Sequence, residues 1–274
     1  MTTLKAALVQ LRTPATQAAA LAQAEPLVRE AVAAGARLIA TPEGTNILQR
    51  DKAKLFEAVR PLEQDECVIG LRQLARELDV WILIGSALVR REDGQLANRS
   101  TLIGADGEVK ATYDKIHMFD VDLPTGERHR ESSLYTPGGQ ATVAATPWGR
   151  IGLSVCYDVR FPHLYRALAK AGAEILAVPA AFTRPTGEAH WEILLRARAI
   201  EAGAYVLAPA QGGLHEDGRG TWGRSIIIGP WGEILAKAED DEPQVVIAEL
   251  DLDAVAKARS AIPALANDRI FAEP

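Results

Sequence analysis

The feature that most constrains the fold of this chain is an internal repeat. GARLIATPEG at 35–44 resembles GAEILAVPAA at 172–181, and STLIGADGEVKATY at 100–113 resembles RSIIIGPWGEILAKA at 224–238. A single match of this kind is common in α/β proteins and does not by itself indicate a repeat. Two matches in the same order indicate that the second half of the chain repeats the first.

Each half alternates strand-like and helix-like segments. The first half predicts a strand at LKAALVQ, a helix from Thr16 to Ala34, a strand at RLIATPEG, a helix over 65–78, the strand VWILIGSALV and a hairpin around ADGE. The second half predicts a strand at RIGLSV, a helix over 162–171, a strand at EILAVPA, a helix over 190–202, the strand AYVLAPA and a hairpin at SIIIGPWGEILAKA. The order of elements is therefore the same twice.

This order predicts the architecture. Strands that are separated by helices pair in parallel through right-handed crossovers, and the hairpins add antiparallel strands at the edges. Two such sheets, each with helices on its outer face, would pack face to face as a four-layer α-β-β-α sandwich. No linker rich in proline, glycine or serine separates the halves, so we expect a single domain over 1–274.

Composition excludes several classes of partner. The chain has a formal net charge of -6 and no run of lysine or arginine, so we expect no nucleic-acid partner. The N-terminus, MTTLKAALVQ, lacks the long apolar stretch of a signal peptide, and no later stretch approaches the length of a membrane span. The two cysteines, Cys67 and Cys156, lie in unlike contexts, which argues against a disulfide framework and favours the reducing cytoplasm.

Two polar residues are predicted at the ends of buried strands. In RIGLSVCYDVRFP, Cys156 ends the first strand of the second repeat, and in ATPEGTN, Glu43 ends the second strand of the first repeat. Ligands of α/β sheets gather at the carboxyl ends of strands, so both residues are candidates for a site. Free cysteine is also among the most buried residue types, and packing alone is the plain alternative for Cys156.

A cysteine nucleophile needs a group that activates it. The five histidines form no local signature of a cysteine–histidine enzyme, whereas Glu43 follows an apolar run that would desolvate it and raise its pKa. Lys115, in YDKIHMF, has apolar neighbours and could stabilise an oxyanion, with Glu131 of HRESSLYTPGG holding it in place. Surface carboxylates and a snorkelling lysine are the alternatives.

These four positions, in this order, resemble the nitrilase or carbon-nitrogen hydrolase superfamily. The resembling segments are TPEG, DKIHMFDVDLP, RESSLYTPG and GLSVCYDVRFPHL, together with AGAEILAVPAAF and TGEAHWEILLRARAIEAGAYVLAPAQGG. The likeness covers about residues 4 to 265 and is strongest to the Nit branch, which includes deaminated-glutathione amidases and ω-amidases.

The resemblance implies an α-β-β-α sandwich that forms a homodimer or a higher homo-oligomer, without a metal or organic cofactor. It implies that Cys156 is the nucleophile, Glu43 the general base and acid, Lys115 the oxyanion stabiliser and Glu131 an orienting glutamate. It also assigns four substrate-binding positions: the backbone N–H of Tyr157 as the second oxyanion donor, the Arg160 guanidinium for a substrate carboxylate, and the pocket residues Phe182 and Thr186 in the AFTRPTG loop. An ion pair between Arg160 and an acid such as Asp158 is the structural alternative.

The expected activity is hydrolysis of a small, carboxylate-bearing carboxamide to a carboxylate and ammonia through a thioester. Deaminated glutathione and 2-oxo acid ω-amides are substrates of this kind. A nitrilase or an N-carbamoyl-amine hydrolase would use the same three groups with a different pocket. Two alternative hypotheses come from other functional classes: a redox-sensing thiol protein and a non-catalytic binding protein.

Overall fold

Two six-stranded sheets form the centre of the molecule in a computed structural model, which describes residues 3–123 and 126–272. The strands are β1 (Thr3–Gln10), β2 (Leu38–Ala40), β3 (Trp81–Arg90), β4 (Leu96–Ile103), β5 (Val109–Asp114), β6 (Asp120–Asp122), β7 (Arg128–Arg130), β8 (Thr142–Thr146), β9 (Gly149–Leu153), β10 (Ile175–Ala177), β11 (Tyr205–Ala208), β12 (Gly212–Leu214), β13 (Gly220–Trp222), β14 (Ile226–Ile228), β15 (Ile234–Lys237) and β16 (Gln244–Asp251). The helices are α1 (Gln17–Ala33), α2 (Lys52–Ala58), α3 (Glu66–Leu78), α4 (Pro162–Lys170), α5 (Arg184–Ala202) and α6 (Asp253–Ala261).

The sheets repeat one topology. The first has the strand order β16-β1-β2-β3-β4-β5 and the second β15-β14-β11-β10-β9-β8, while β6–β7 and β12–β13 form separate ribbons. In each sheet three strands pair in parallel, β1-β2-β3 or β9-β10-β11. The first strand of the hairpin that follows, β4 or β14, pairs antiparallel with the third of them. The predicted two-fold repeat is therefore present, with β16 and β8 added to the sheets outside it.

Alternate residues of each strand point to opposite layers. On β1, Ala6 and Leu8 belong to the core between the two sheets, whereas Ala7 and Val9 belong to the core under α1 and α3. On the second sheet, α4 contacts β9 and α5 contacts β11. The layers are helices, sheet, sheet, helices, and the predicted four-layer sandwich is confirmed.

The helix boundaries follow ordinary capping chemistry, with one correction. Thr16 caps α1 through its side chain, which accepts a hydrogen bond from the N–H of Ala19. The prediction that α5 begins at residue 190 was wrong, because the helix starts at Arg184. Pro185 lies in its first turn, where the fixed φ of proline suits a helix start. Thr186 therefore lies on a helix rather than in the expected loop.

The loops after β2 and β10 meet over β3. A Cβ atom on Gly85 would lie 1.9 Å from the Thr41 carbonyl oxygen and 2.4 Å from Cβ of Pro179, so only glycine permits this approach. Both predicted site residues lie beyond their strands rather than at the last position: β2 ends at Ala40 and β9 at Leu153. Among the described residues, no helix has the length and apolar character needed to cross a bilayer.

Candidate active site

Cys156 occupies a sharp bend between β9 and a short 3₁₀ helix, Cys156–Arg160. Its φ of 51° lies in the left-handed region, which is rare for residues other than glycine. Its N–H donates to the Pro179 carbonyl oxygen at 2.8 Å. The bend is also fixed by Asp158, which is buried and accepts hydrogen bonds from the Val155 N–H at 2.8 Å and the Tyr113 hydroxyl at 2.7 Å. The surroundings thus hold the thiol in a strained position.

The Glu43 carboxylate is the centre of a polar cluster that also contains Lys115, Glu131, Asn98 and Cys156. Its Oε1 accepts hydrogen bonds from Nζ of Lys115 and Nδ2 of Asn98, both at 2.9 Å. Its Oε2 accepts one from the Ala181 N–H at 2.9 Å, and the Cys156 thiol lies close enough to this carboxylate to lower its pKa. Loops from both repeats therefore position one acid beside the thiol.

Lys115 is almost completely buried between two glutamates. Its side chain is 2% exposed, and Nζ lies 2.9 Å and 2.8 Å from Oε1 and Oε2 of Glu131. Glu131 in turn accepts a hydrogen bond from the Phe119 N–H at 2.6 Å. Glu131 thus fixes the ammonium group from one side while Glu43 contacts it from the other.

Asn98 on β4 belongs to the cluster and was missed in the sequence. Besides its bond to Glu43, Nδ2 lies 3.2 Å from Oε1 of Glu131, so one amide group bridges both carboxylates. The side chain is buried, and its Oδ1 has no hydrogen-bond partner among the described residues. The available signal was an asparagine within LANRSTLI, a strand whose other residues are nearly all buried.

The charges of the cluster set the pKa values of its members. Burial alone would raise the pKa of Glu43, but the Lys115 charge, the nearby Cys156 thiol and the hydrogen bonds from Lys115 and Asn98 lower it below its ordinary value. The expectation of a raised Glu43 pKa was therefore wrong. Burial alone would lower the pKa of Lys115, but Glu131 and Glu43 raise it well above its usual range. Lys115 is thus a cation and Glu43 a carboxylate.

The thiol of Cys156 stays protonated in this environment. Burial raises its pKa well above the ordinary value, and the neighbouring Glu43 charge adds to the effect more than Lys115 opposes it. A thiolate would add a second uncompensated negative charge to a cluster with two carboxylates and one ammonium. Transfer of the thiol proton to Glu43, by contrast, leaves the net charge of the cluster unchanged.

The cluster opens onto a cavity of about 770 Å³. Glu43, Lys115, Glu131 and Cys156 all line it, so the structure brings the four predicted catalytic residues together. Tyr157, Phe182 and Thr186 also lie on the wall. The first N–H groups of a helix have no partner within it, and the hydrogen bonds of this 3₁₀ helix begin at Asp158. The N–H of Tyr157 is therefore available to a ligand.

Arg160 has a different position from the one expected. It is not on the cavity wall, and its guanidinium lies 5.9 Å from the Tyr157 ring centre and 5.5 Å from that of Phe182. Two of its nitrogens lie 3.3 Å from Nδ1 of His190. The alternative pairing with Asp158 is also absent from the described contacts, because Asp158 bonds to Val155, Tyr113 and His117 instead. Arg160 packs behind two residues of the wall.

The cavity wall is rich in cations. It contains the seven cationic residues Arg50, Lys52, Lys115, Arg128, Arg130, Arg184 and Arg219, against the three carboxylates Glu43, Glu127 and Glu131. The whole chain has the opposite balance, 30 lysines and arginines against 36 acidic residues. This local excess attracts anions. Tyr135 and Arg219 are wall residues that the sequence did not single out.

Comparisons with known proteins identify the family of this chain. The profile of the family described as Carbon-nitrogen hydrolase matches residues 5–260. A deaminated glutathione amidase of Yersinia enterocolitica is 43% identical over 256 residues, which is 91% of this chain and 87% of that protein. The human omega-amidase NIT2 is 35% identical over 269 residues, or 98% of this chain and 96% of that protein.

A solved structure has the same fold. The crystal structure of the Caenorhabditis elegans NitFhit protein superposes with a TM-score of 0.91 at 32% identity and covers 98% of this chain. This chain spans 66% of that protein's length. The family profile extends over nearly the whole sequence, and the relatives match it almost end to end. The chain therefore belongs to the carbon-nitrogen hydrolase family of the nitrilase superfamily and is a hydrolase of carbon–nitrogen bonds.

Proposed function

We propose that this enzyme is a cysteine-dependent amidase that converts a small, carboxylate-bearing carboxamide to a carboxylate and ammonia. One observation carries the proposal: the Glu43 carboxylate, which bonds to the Lys115 ammonium, lies with the Cys156 thiol on the wall of one cavity and interacts with it. This contact supplies a base for the nucleophile and a cation for the charge that develops on the amide oxygen.

The first half-reaction forms a thioester. Glu43 takes the thiol proton as Sγ of Cys156 attacks the amide carbon, and the carbonyl electron pair moves onto oxygen. Lys115 and the N–H of Tyr157 stabilise this oxyanion. When the intermediate collapses, the carbon–nitrogen bond breaks, and Glu43 returns its proton to the departing nitrogen, which leaves as ammonia.

The second half-reaction hydrolyses the thioester. Glu43, again a carboxylate, takes a proton from water as the water oxygen attacks the thioester carbon. Collapse of this second oxyanion breaks the carbon–sulfur bond, and the proton on Glu43 passes to the sulfur. The products are the free thiol and the carboxylic acid, which loses its remaining proton to water and becomes the carboxylate, and no metal or organic cofactor takes part. Glu131 holds Lys115 throughout, since both of its oxygens contact Nζ.

The cationic wall supports a substrate that carries a carboxylate, because its field attracts anions. The names of the relatives, deaminated glutathione amidase and omega-amidase, support the same class. A nitrile or an N-carbamoyl amine could undergo the same attack, so these remain the alternative substrates. The redox-sensor alternative is less favoured, because a sensor thiol needs a low pKa and the pKa of Cys156 is raised.

The test is ammonia release from a panel of ω-amides, a 2-oxo acid amide, a nitrile and an N-carbamoyl amine. Wild type should hydrolyse the carboxylate-bearing amides fastest, and Cys156→Ala should lose all turnover. Rapid acid quenching followed by mass spectrometry should find the acyl group on Cys156. Turnover that survives in Cys156→Ala would refute the assignment of the nucleophile, and preference for the nitrile would select that alternative.

We also infer that the chain forms a homodimer in the cytoplasm. Two free thiols suit a reducing compartment. Ile193 and Ile200, seven positions apart on α5, are 70% and 53% exposed, and Trp231 is 59% exposed. Ile200 lies beside Gly232, so the helix residues and the β14–β15 turn form one apolar patch that fits a second copy of the chain. Light scattering should show that Ile200→Glu is monomeric, whereas Leu214→Glu, outside the patch, should remain a dimer.

A further inference from the structure

We propose that Arg219, together with the hydroxyl group of Tyr135, forms the subsite that binds the carboxylate of the substrate. This inference rests on the proposed amidase function and deepens it, because it assigns the recognition of the anionic end to residues for which no role is known. It also replaces Arg160, which packs behind the wall and not on it.

Arg219 is the least exposed of the wall cations after Lys115. Its side chain is 30% exposed, against 50% for Arg130, 55% for Arg184 and 81% for Arg128. Arg50 and Lys52 are also exposed. A charge in a less hydrated position interacts more strongly with an anion, because water screens it less. Arg219 is therefore the wall cation best suited to bind an anion rather than only to attract one.

Two other arginines of the cavity wall already use their N–H donors to bind carboxylates of the protein. Arg130 holds both oxygens of Asp122, at 2.9 Å and 2.8 Å, and Arg184 lies 2.6 Å from Asp241. Among the residues that the structure describes, Arg219 instead has one ion-pair contact, between Nη2 and Oδ2 of Asp217 at 3.3 Å, and this contact does not have hydrogen-bond geometry. A guanidinium has five N–H donors in a planar fork, so most of those on Arg219 are available for a carboxylate.

The hairpin that carries Arg219 is held rigidly against the rest of the molecule. The Arg219 N–H donates to Oδ1 of Asp217 at 2.9 Å, and the Arg219 carbonyl accepts from the His215 N–H at 2.8 Å. The buried His215 ring contacts the Thr221 hydroxyl at 2.7 Å and the Thr13 carbonyl at 3.4 Å. A guanidinium on a fixed backbone loses less conformational entropy when it binds a ligand.

Tyr135 lines the same cavity as Arg219 and the catalytic cluster. Burial raises the pKa of its phenol group, and the nearby Glu131 charge adds to this effect, so the group remains a hydrogen-bond donor. The hydroxyl makes no hydrogen bond to any residue that the structure describes, although the residue lines the cavity. A polar group in this position can bind the ligand's carboxylate beside the Arg219 guanidinium.

The experiment compares two amides of equal length, glutaramate and pentanamide, which differ only in the carboxylate. In Arg219→Gln, we expect KM for glutaramate to rise about 10- to 100-fold with little change in kcat, because a charged hydrogen bond to the substrate is lost. The preference for glutaramate over pentanamide, measured as the ratio of their kcat/KM values, should therefore fall by about the same factor. Arg219→Lys should restore part of the affinity, and Tyr135→Phe should raise KM for glutaramate about 5-fold.

Arg76→Gln is the matched control, because it removes the same charge from a surface helix outside the cavity. It should change neither substrate's KM. Equal losses for both amides in Arg219→Gln would show a structural role and overturn the proposal, as would an unchanged KM for glutaramate.

Calorimetry with glutarate, the product, separates this proposal from the amidase proposal. Wild type should bind glutarate, and Arg219→Gln should bind it at least about 10-fold more weakly. If wild type releases no ammonia from either amide but this difference in binding remains, the proposed reaction fails and the subsite stands. If glutarate binds equally to both proteins, or to neither, the subsite is refuted whatever the reaction.

Discussion

Nζ of Lys115 lies 2.9 Å from Oε1 of Glu43, although the two residues are 72 positions apart in the chain. Glu43 follows β2 and Lys115 follows β5, at opposite sides of the first sheet's central hairpin. The first repeat thus supplies the acid and the cation, and the second repeat supplies the thiol. Formation of the site requires the complete sandwich.

Replacing Glu43 with Gln should have opposite effects on turnover and on thiol reactivity. Amide hydrolysis should fall at least about 10³-fold, because the variant lacks the proton acceptor. The Glu43 charge raises the pKa of Cys156, so its removal should lower that pKa and increase the rate of alkylation by iodoacetamide at pH 7. Alkylation slower than in wild type would contradict this account of the thiol.

Asn98→Ala should shift the acid limb of the pH–rate profile. Asn98 lowers the pKa of Glu43 by donating to it, so the variant should need a higher pH to ionise Glu43, and kcat should fall about 10-fold. Asn46→Ala is the control: this buried asparagine bonds to Asp65 and Leu88 instead. It should reduce stability without moving the acid limb. An acid limb at the same pH in Asn98→Ala and in wild type would rule out the role assigned to Asn98.

Gly85→Ala should destabilise the fold at the contact between the repeats. The added Cβ would overlap the Thr41 carbonyl oxygen at 1.9 Å, and a backbone atom cannot move aside as a side-chain end can. We expect a loss of about 3 kcal/mol in the free energy of unfolding, measured by denaturant titration. Gly139→Ala, with no atom within 4 Å of its added Cβ, should change stability little. Similar losses in both variants would contradict the close approach.

His215 should make stability depend on pH between about 6.5 and about 4. Burial lowers the pKa of His215 to about 4, so over this range the unfolded chain takes up a proton that the folded chain does not. The free energy of unfolding should therefore decrease as the pH falls, by roughly 3 kcal/mol in all from this group. Denaturant titrations at several pH values should give a flatter dependence for His215→Gln. An equally steep curve for the variant would exclude His215 as the cause.

The sequence was sufficient for the topology because the repeat and the apolar periodicities are local signals. The four catalytic candidates that it singled out lie together on the cavity wall, and their catalytic roles stay predictions. It gave the wrong start for α5, since Arg184-Pro185-Thr186-Gly187 resembles a loop until Pro185 is seen as a first-turn residue.

Properties that depend on three-dimensional neighbours could not be predicted. The pKa of Glu43 depends on the distance to Lys115, which the local sequence does not contain. The orientation of Arg160 depends on the rings of Tyr157 and Phe182, which compete with the cavity for its guanidinium. Asn98, Tyr135 and Arg219 carry no sequence motif of their own, and only the folded cavity shows their relation to the site.

The acid of the proposed active site is present in only one of the two repeats. The alignment of 35–44 with 172–181 pairs Glu43 with Ala180. The next residue, Ala181, donates its N–H to the Glu43 carboxylate. A polypeptide built from two equivalent halves thus carries one reactive centre rather than a pair. A slow substrate that accumulates as the acyl-enzyme should accordingly label one sulfur per polypeptide, and this stoichiometry should hold in every assembly the chain forms.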